Sequence, residues 1–337
     1  MRITIKDVAK RAGVSISTVS LAINKKERVS DELRQKVTHA IQELNYRPNG
    51  LARSLKSKKS KVIGLIIPDI VNPFFPLMVR GVEDTAKRSG YNIILCNTDG
   101  KAKEEATYLR LFEEKCVDGI IFTCSGRIKK SLRLLNELTV PKVILDRRLD
   151  DLSIFTVAVD NIKGAYIAAN HLLQNGKRRI LFISGPEQLQ SSADRLNGYK
   201  QALVENKLVV APELITYGDF SVESGQKAMR DLIAQGIAFD AVFGANDMMA
   251  CGAMVVLAEL GFVIPDQIEV VGYDDILLAS LLKPALTTIK QPAYMMGSEA
   301  VKMLLRAINS KKMIVTSKIF EPQLIIRDSS PRRQTGN

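Results

Sequence analysis

The hydrophobic and polar positions of the first sixty residues follow helical spacing. In "IKDVAKRAGVSISTVSLAIN", residues 5–24, apolar side chains recur every three or four positions on either side of Gly13. The pattern predicts one helix over about 5–12 and a second over about 16–24. We expect Gly13 to end the first helix and Ser15 to cap the second, since glycine favours helix C-termini and serine favours helix N-termini.

A third helix is predicted over about 31–44, where the same spacing continues behind Ser30 as N-cap. Two short helices joined by a glycine turn and supported by a third indicate a helix-turn-helix unit. The second helix of such a unit fits the major groove of DNA. A helical packing domain with no role in DNA binding is the alternative that this pattern leaves open.

The segment "YRPNGLARSLKSKKSK" follows the third helix. Pro48 ends the preceding element, Asn49 can cap a short helix over about 50–56, and a basic linker follows. A short helix with small and leucyl side chains suits a DNA minor groove. A linker with some helical tendency is the plainer interpretation.

From residue 61 onward, continuous apolar runs alternate with amphipathic stretches. The runs "KVIGLIIP", "YNIILCN", "VDGIIFT" and "PKVILD" predict buried strands, and helices are predicted over about 75–89, 103–115 and 129–137. Strands that alternate with helices indicate an α/β fold with parallel sheets.

The α/β pattern occurs twice in the chain. "GYKQALVENKL" (198–208) resembles "GVEDTAKRSGYN" (81–92), and "FDAVFGAND" (239–247) resembles "VDGIIFTCS" (117–125). Ligands of open α/β sheets bind beyond the carboxyl ends of the strands. Two similar lobes that face each other across those ends would therefore clamp a ligand.

The positive charge of the chain is concentrated at its start. Residues 1–60 hold 14 Lys and Arg against 5 Asp and Glu, a net charge of +9, whereas all 337 residues carry +12. A basic segment with apolar periodicity indicates a small folded domain that binds a polyanion, and nucleic acid is the first candidate.

Composition also sets an expectation for the cellular compartment. No apolar run is long enough for a membrane span, and "MRITIKDVAK" lacks the apolar centre of a signal peptide, so we expect a cytoplasmic protein. The cysteines form no CxxC pair and are expected to be reduced, buried thiols. They are Cys96, Cys116, Cys124 and Cys251.

Charged, amide and aromatic side chains follow the strands of the α/β part. Each one alone is compatible with a surface loop, but together they suit a sugar, since carboxylates, amides and guanidinium groups bind hydroxyls and aromatic rings cover the sugar ring. The candidate ligand-binding residues are Asn72, Phe74, Phe75, Asp146, Arg147, Arg195, Phe220, Asn246, Asp274 and Gln291.

The sequence contains no pattern typical of catalysis, nucleotide binding or metal binding. His39 lies on the predicted third helix, and His171 lies in an apolar helical stretch and is interpreted as structural. We expect a protein that is not an enzyme and that uses no cofactor and no metal. A ligand-switched transcription factor and a sugar-binding protein that does not bind DNA are the two remaining classes, and the basic N-terminal segment favours the first.

The chain resembles the lac repressor family of bacterial transcription factors from residue 3 to about residue 328. The resemblance is carried by "TIKDVAKRAGVSISTVS", "RVSDELRQKV", "ELNYRPNGLARSL" and "IGLIIPDIVNPFF". It implies a helix-turn-helix head and a hinge helix, joined to a two-lobed domain that resembles periplasmic sugar-binding proteins. It also implies a homodimer that binds palindromic operator DNA.

The resemblance sets the expected domain boundaries and DNA contacts. The DNA-binding head would span residues 1–60, with the hinge helix at about 49–57, and the effector-binding and dimerisation domain would span 61–337. Its N-lobe would comprise about 61–160 and 291–320, and its C-lobe about 161–290 and 321–330. The residues expected to contact DNA are Thr4, Ser15, Ile16, Ser17, Thr18, Ser20, Leu21, Asn24, Asn49, Ala52 and Leu55.

Two of these residues have specific consequences for DNA recognition. Leu55 would insert between base pairs in the minor groove, as the hinge leucine of this family implies. Leu21 stands where the family frequently has Arg or His, and leucine cannot form the two hydrogen bonds by which arginine recognises guanine. The preferred base at that operator position is therefore open.

The candidate ligand-binding residues, with "NTDGKAKEE" and "VGYDDILLASLLKPALTTIKQP", resemble ribose operon repressors. This implies a repressor of a sugar catabolism operon that ribose releases from DNA. Two carboxylates against two arginines favour a neutral sugar over a sugar phosphate. Another sugar, a sugar phosphate or a purine as effector remain alternatives, as does a global carbon-catabolite regulator that binds a phosphocarrier protein.

Overall fold

The computed structural model describes residues 3–24, 29–46, 59–124, 128–147, 154–310 and 316–332. They belong to two compact units that meet in the sequence between Ser60 and Lys61. The first unit is helical and the second is α/β. Within the described ranges, no helix combines the length and the apolar character that a membrane crossing requires.

The first unit contains three helices at the positions that the sequence predicts. They are α1 (Ile5–Ala12), α2 (Ile16–Asn24) and α3 (Asp31–Glu43). Val8, Val19 and Val37, one from each helix, are buried together at the centre of the unit. The apolar spacing thus places one face of every helix in a common core.

The turn between α1 and α2 follows the predicted capping pattern. Gly13 has a φ of +66° and ends α1, and this left-handed conformation favours glycine. The backbone N–H of Thr18 donates to Ser15 Oγ at 3.1 Å, which caps α2. The prediction for α3 was wrong in one detail, because Ser30 occupies the N-cap position but its side chain makes no capping hydrogen bond.

Two six-stranded sheets form the second unit, and we name the two halves built on them the N-lobe and the C-lobe. The N-lobe strands are β1 (Val62–Ile67), β2 (Asn92–Asn97), β3 (Gly119–Phe122), β4 (Lys142–Leu145), β5 (Phe155–Val159) and β11 (Ser317–Phe320). The C-lobe strands are β6 (Ile180–Ser184), β7 (Ile215–Tyr217), β8 (Ala241–Gly244), β9 (Glu269–Asp274), β10 (Thr287–Lys290) and β12 (Gln323–Ile325).

Helices connect the strands and pack against both sheets. Those of the N-lobe half of the sequence are α4 (Phe74–Arg88), α5 (Ala102–Glu114) and α6 (Ile128–Glu137). Those that follow are α7 (Asn161–Gln174), α8 (Gln190–Glu205), α9 (Val222–Ala234), α10 (Asp247–Glu259), α11 (Leu277–Leu281) and α12 (Ala293–Asn309), with a short 3-10 helix at Pro212–Leu214.

The two sheets have equivalent strand orders, β2-β1-β3-β4-β5-β11 and β7-β6-β8-β9-β10-β12. In register, Leu65 pairs with Ile121 between β1 and β3, as Phe182 pairs with Phe243 between β6 and β8. The last strand differs, because β11 runs parallel to β5 whereas β12 runs antiparallel to β10. The predicted α/β class with parallel sheets is confirmed.

The sequence repeat corresponds to a shared packing feature. A Cβ on Gly81 of α4 would lie 2.0 Å from the carbonyl oxygen of Tyr294 on α12. A Cβ on Gly198 of α8 would lie 2.1 Å from the carbonyl oxygen of Ile162 on α7. The glycine that opens each repeated segment therefore allows one helix to pack closely on a neighbour.

The prediction of buried thiols holds for three of the four cysteines. Cys96, Cys124 and Cys251 are buried, but Cys116, which follows α5, is exposed. It has a φ of +51° at the turn into β3, where the chain lies at the surface. Burial raises the pKa of Cys96 to about 11 and that of Cys251 to about 12, so both are protonated at neutral pH.

Candidate functional site

A cavity of about 450 Å³ lies beyond the carboxyl ends of strands from both lobes. All ten candidate ligand-binding residues line it. They are Asn72, Phe74, Phe75, Asp146, Arg147, Arg195, Phe220, Asn246, Asp274 and Gln291. Residues from segments far apart in the sequence thus meet in one place, because parallel strands end at the same edge of a sheet.

The loop after β1 supplies an apolar wall to this cavity. The Phe74 and Phe75 ring centroids are 5.2 Å apart with an interplanar angle of 71°, an edge-to-face pair. Asn72 Oδ1 accepts the backbone N–H of Phe74 at 3.1 Å, which fixes the start of α4. The wall combines two aromatic rings with one amide group.

Asp146 and Arg147 follow β4 and are both more than nine-tenths buried. Arg147 Nε lies 3.5 Å from Asp146 Oδ2, and the backbone of Asp146 is left-handed with a φ of +71°. Asp146 Oδ1 and Arg147 Nη1 are buried and have no hydrogen-bond partner among the residues that the structure describes. Burial raises the pKa of Asp146, and the charges of Arg147 and Arg195 oppose this effect.

Arg195 projects from α8 and is held on several sides. Its Nε donates to Asn161 Oδ1 at 2.8 Å, and its Nη1 donates to the carbonyl oxygen of Ala245 at 2.5 Å. Its guanidinium carbon lies 3.8 Å from the ring centroid of Tyr273, and its Nη1 lies 4.0 Å from Asp274 Oδ1. Arg195 therefore connects several elements that surround the cavity, in addition to being a candidate ligand contact.

Asp274 and Gln291 meet where β9 and β10 end. Gln291 Nε2 donates to Asp274 Oδ1 at 2.6 Å, and Gln291 Oε1 is buried with no hydrogen-bond partner in the described ranges. Burial raises the pKa of Asp274 to about 7, with opposing effects of Arg195 and the Gln291 hydrogen bond. Asp274 therefore changes charge near neutral pH.

Asn246 lines the cavity, but both polar atoms of its side chain already have partners. Its Oδ1 accepts the N–H of Met249 at 2.9 Å and caps α10, and its Nδ2 donates to the carbonyl oxygen of Phe220 at 2.9 Å. Phe220 has a φ of +72°, and the Asn246 contact holds its backbone. Asn246 thus positions Phe220 beside the cavity.

Nine further residues line the cavity that the sequence analysis did not single out. They are Pro68, Asp69, Asp99, Gly100, Pro186, Gln188, Leu189, Ser191 and Asp219. Asp69, Asp99 and Asp219 follow β1, β2 and β7, so the same strand-end rule could have found them. These three aspartates are more exposed than the buried charged residues that we call the cavity floor, which are Asp146, Arg147, Arg195 and Asp274. They add three carboxylates at the rim of the cavity.

The candidate DNA-contacting residues lie partly on the outer face of α2. Ile16 and Leu21 are 45% and 37% exposed, and Ser15 and Ser17 are exposed too. Thr18 and Ser20 are half-buried. Exposed apolar side chains on a basic head are available for contact with the methyl groups of thymine.

Thr4 caps α1 instead of standing free. Its hydroxyl and its backbone N–H both donate to Asp7 Oδ2, at 2.7 and 2.8 Å, which completes a capping box. The side chain of Asn24 lies outside the described residues, and so do Asn49, Ala52, Leu55 and the predicted hinge helix.

Neither histidine lines the cavity. His171 is buried on α7, with its Nε2 2.9 Å from the carbonyl oxygen of Ser330, and burial lowers its pKa. This agrees with its interpretation as structural. His39 is exposed on α3, 3.7 Å from Glu43. The part of the chain that the structure describes contains no His, Cys, Asp and Glu grouping suited to a metal ion.

Two family models match the chain. Residues 4–49 match the model of bacterial regulatory proteins of the lacI family. Residues 60–323 match the model of periplasmic binding proteins and the sugar-binding domain of the LacI family. The matches cover the helical unit and the α/β unit in turn.

Curated relatives match over nearly the whole length. A regulator named RegA of Clostridium saccharobutylicum is 40% identical over 98% of this chain and 100% of its own. The ribose operon repressor of Halalkalibacterium halodurans is 40% identical over 97% of both chains. Relatives under different regulator names thus match equally well.

Solved structures share the fold. The lac repressor dimer bound to operator and an anti-inducer has a TM-score of 0.89 at 29% identity, covering 98% of this chain and 100% of that one. A LacI-family regulator from Enterococcus faecium with bound ribose has a TM-score of 0.72 at 30% identity, covering 81% of this chain and 100% of that one.

Proposed function

Since the chain belongs to the lacI family of bacterial regulatory proteins, we propose that it represses a sugar catabolism operon and is released from its operator by ribose. Its relatives are transcriptional regulators and not enzymes. The observation that carries the effector proposal is the cavity, in which all ten residues chosen for a sugar site meet.

The DNA-binding part rests on the charge and the shape of the head. The +9 charge of residues 1–60 attracts the phosphate backbone, and the exposed face of α2 offers Ser17 and Leu21 to the major groove. A homodimer would place two such heads on a palindromic site, as the lac repressor dimer binds operator. Leu55 is proposed as the minor-groove wedge. Such a repressor would act in the cytoplasm.

The composition of the cavity supports a neutral sugar. Asp146 and Asp274 stand against Arg147 and Arg195 on the floor, and the rim adds carboxylates such as Asp219. Burial acts to raise the pKa of Asp219, but hydrogen bonds from Ser221 and Ser224 outweigh it and lower the pKa, so this carboxylate is charged. An excess of carboxylates repels phosphate groups, which disfavours a sugar phosphate.

The buried polar atoms that lack a hydrogen-bond partner among the described residues also favour a polyhydroxyl ligand. Asp146 Oδ1 and Gln291 Oε1 can accept a hydrogen bond from a ligand, and Arg147 Nη1 can donate one to it. All three atoms are buried. A sugar hydroxyl can donate and accept at once, so one ligand can satisfy such a mixed set. The Phe74 and Phe75 rings would cover an apolar ring face.

Calorimetry with a panel of ligands tests the effector. We expect heat from D-ribose, and no heat from D-ribose 5-phosphate or a purine base. Tight binding of a phosphorylated sugar or a purine, with no heat from ribose, would show that the effector is wrong and leave DNA binding untouched. Binding of a phosphocarrier protein instead would favour a global carbon-catabolite regulator.

Operator binding is tested separately on labelled DNA. We expect specific binding to a palindromic site that weakens steeply with salt, that ribose relieves, and that deletion of residues 1–60 abolishes. Leu55→Ala should lower operator affinity and reduce DNA bending while ribose binding stays unchanged. Equal affinity for operator and random duplex would favour a sugar-binding protein without a regulatory DNA role.

A further inference from the structure

Two adjacent aspartates, the last residue of β9 and the first residue of the loop that follows, have different surroundings. Asp274 lines the cavity, whereas the carboxylate of Asp275 pairs with Arg327 (Nη2 to Oδ1, 2.6 Å) and Lys290 (Nζ to Oδ2, 3.8 Å). The Asp275 side chain is 12% exposed, and its backbone is left-handed with a φ of +59°. Its ion pairs hold a backbone conformation that non-glycine residues rarely adopt.

The two partners of Asp275 lie at or just beyond the ends of two neighbouring strands, β10 and β12. Lys290 ends β10 and directly precedes Gln291, whose amide donates to Asp274 Oδ1. Arg327 follows β12, and its Nη1 donates to the carbonyl oxygen of Leu286 at 2.9 Å. The Asp275 carboxylate, outside the cavity, therefore connects the start of the loop after β9 to the end of β10 and to the segment after β12.

The next residue of the loop is held as well. The backbone N–H of Ile276 donates to Asp247 Oδ2 at 2.9 Å, and Thr288 Oγ1 on β10 donates to Asp247 Oδ1 at 2.5 Å. The loop is thus attached to β10 at two successive residues, first through Asp275 and then through Asp247. Asp247 is fully buried, whereas Asp275 can be changed with less disturbance of the core.

We propose that Asp275 is a positioning residue for effector binding. Through Arg327 and Lys290 it holds the loop after β9 against β10, which keeps the carboxylate of Asp274 and the amide of Gln291 together at the cavity. Binding groups must be kept within about 0.5 Å of their productive positions by the residues behind them. The inference rests on the proposed function, in that this cavity takes the sugar.

The first test compares Asp275→Asn with a matched control in the full-length protein. Glu259→Gln removes an acid that also pairs with an arginine at 2.6 Å, on the C-lobe away from the cavity. Calorimetry with D-ribose should show a dissociation constant about tenfold larger for Asp275→Asn, the effect expected from one lost charged contact. The control should bind ribose as wild type does. Asp275→Glu, which keeps the charge, should restore part of the affinity.

The second test needs no ligand. Hydrogen–deuterium exchange of the free protein should be faster in Asp275→Asn for peptides that cover residues 274–278 and 287–292, and unchanged there in Glu259→Gln. If wild type gives no heat with ribose, the effector in the proposed function is wrong, and the exchange comparison alone decides the role of Asp275.

Two outcomes would overturn the positioning role. One is exchange of these peptides at the wild-type rate in Asp275→Asn. The other is a melting temperature of Asp275→Glu that equals that of wild type while its ribose affinity stays as low as that of Asp275→Asn. The carboxylate would then stabilise the fold without positioning the groups that bind the sugar.

Discussion

The two lobes share one strand order but contribute to the cavity in different ways. In the N-lobe, Asp146 Oδ1 and Arg147 Nη1 are buried and find no hydrogen-bond partner within the described part of the chain. In the C-lobe, Arg195 is bonded to Asn161 and Ala245 and Asn246 is bonded to Phe220 and Met249. These N-lobe residues thus offer polar atoms to a ligand, whereas Arg195 and Asn246 on the C-lobe side are already bonded within the protein and leave Gln291 Oε1 beside them as an open acceptor.

Equivalent positions make this difference visible. Asp146 follows β4 and Asp274 ends β9, which occupy the same place in the two sheets, and both residues have positive φ values of 71° and 120°. The residue that follows differs, because Arg147 lines the cavity whereas Asp275 pairs with Arg327. A repeated backbone feature is thus followed by a cavity-lining side chain in one lobe and by an ion pair outside the cavity in the other.

The largest expected effect is that of Arg195→Ala on the C-lobe side. The substitution removes the contacts to Asn161, Ala245 and the Tyr273 ring, and it leaves Asp274 without its arginine. Breaking a buried charge pair costs about 3–5 kcal/mol, so we expect the free energy of unfolding to fall by that order along with ribose affinity. Urea unfolding followed by circular dichroism measures the first effect.

Loss of ribose affinity in Arg195→Ala with unfolding unchanged would contradict the comparison of the lobes, since it would make Arg195 a ligand contact alone. Arg230→Ala is a suitable control. It removes another arginine that pairs with an acid in the C-lobe, but both partners are about half exposed, so its effect on unfolding should be small.

Asp146→Asn should show the opposite balance on the N-lobe side. Asn has the same shape as Asp, and burial opposes the charge on this carboxyl and raises its pKa, so losing this charge should cost folding less than losing Arg195. We expect ribose binding to weaken by about 1.5–3 kcal/mol, the usual value for a hydrogen bond to a charged group, with a smaller change in unfolding than for Arg195→Ala. Calorimetry and urea unfolding on the same sample give both values. Unaltered ribose affinity would remove Asp146 from the site.

The sequence predicted the members of the cavity because one physical rule applies to every strand. Parallel strands end at a common edge, so Asp146, Asp274 and Gln291 could be grouped without knowledge of any contact. The same rule reaches the rim residues Asp69 and Asp219, which the sequence analysis did not use. The repeat also agrees with the finding that the two sheets have equivalent strand orders.

The internal partners of these side chains could not be predicted from the sequence. Whether the Asn246 side chain faces a ligand or caps α10 depends on differences in atomic position of a few tenths of an ångström, within the range of hydrogen-bond lengths. The spacing of strands along the sequence does not determine positions that finely. The same holds for Arg195, whose partners Asn161 and Ala245 lie far from it in the chain. The direction of β12 was also unpredicted, because the segment is short and its neighbour is set by tertiary packing.

Gly185→Ala would displace Phe220, a cavity-lining residue on the C-lobe side, without changing a residue that lines the cavity. A Cβ at this position would lie 2.1 Å from Phe220 Cζ and 2.6 Å from Ser192 Oγ, so the Phe220 ring, which lines the cavity, must shift. Overpacking of this kind costs about 1–3 kcal/mol, and we expect weaker ribose binding with a similar loss of unfolding free energy. Gly100→Ala on the N-lobe rim is a poor control, because its φ is +66°. Ala193→Ser on the same helix as Ser192 is a better one. Wild-type ribose affinity in Gly185→Ala would show that Phe220 does not contact the ligand.

The smallest expected effect is a pH dependence that comes from the C-lobe carboxylate. Burial raises the pKa of Asp274 in the free protein to about 7, so this group is mostly protonated below neutral pH. Sugar hydroxyls that donate to the carboxylate favour its ionised form, and the pKa must fall when ribose binds. Ribose binding should therefore release a proton and strengthen as the pH rises through 7, by up to about 1.4 kcal/mol per pH unit below that value.

Folding should respond to pH in the opposite direction. The folded protein holds a proton on Asp274 that the unfolded chain loses at its ordinary pKa, so the free energy of unfolding falls as the pH rises towards 7. Calorimetry with ribose at several pH values, in buffers of different ionisation enthalpy, measures the proton released on binding. Asp274→Asn should bind ribose weakly and without this pH dependence, whereas Glu259→Gln should keep the wild-type profile. Equal slopes in wild type and Asp274→Asn would place the titrating group elsewhere, with the raised pKa of Asp146 on the N-lobe side as the next candidate.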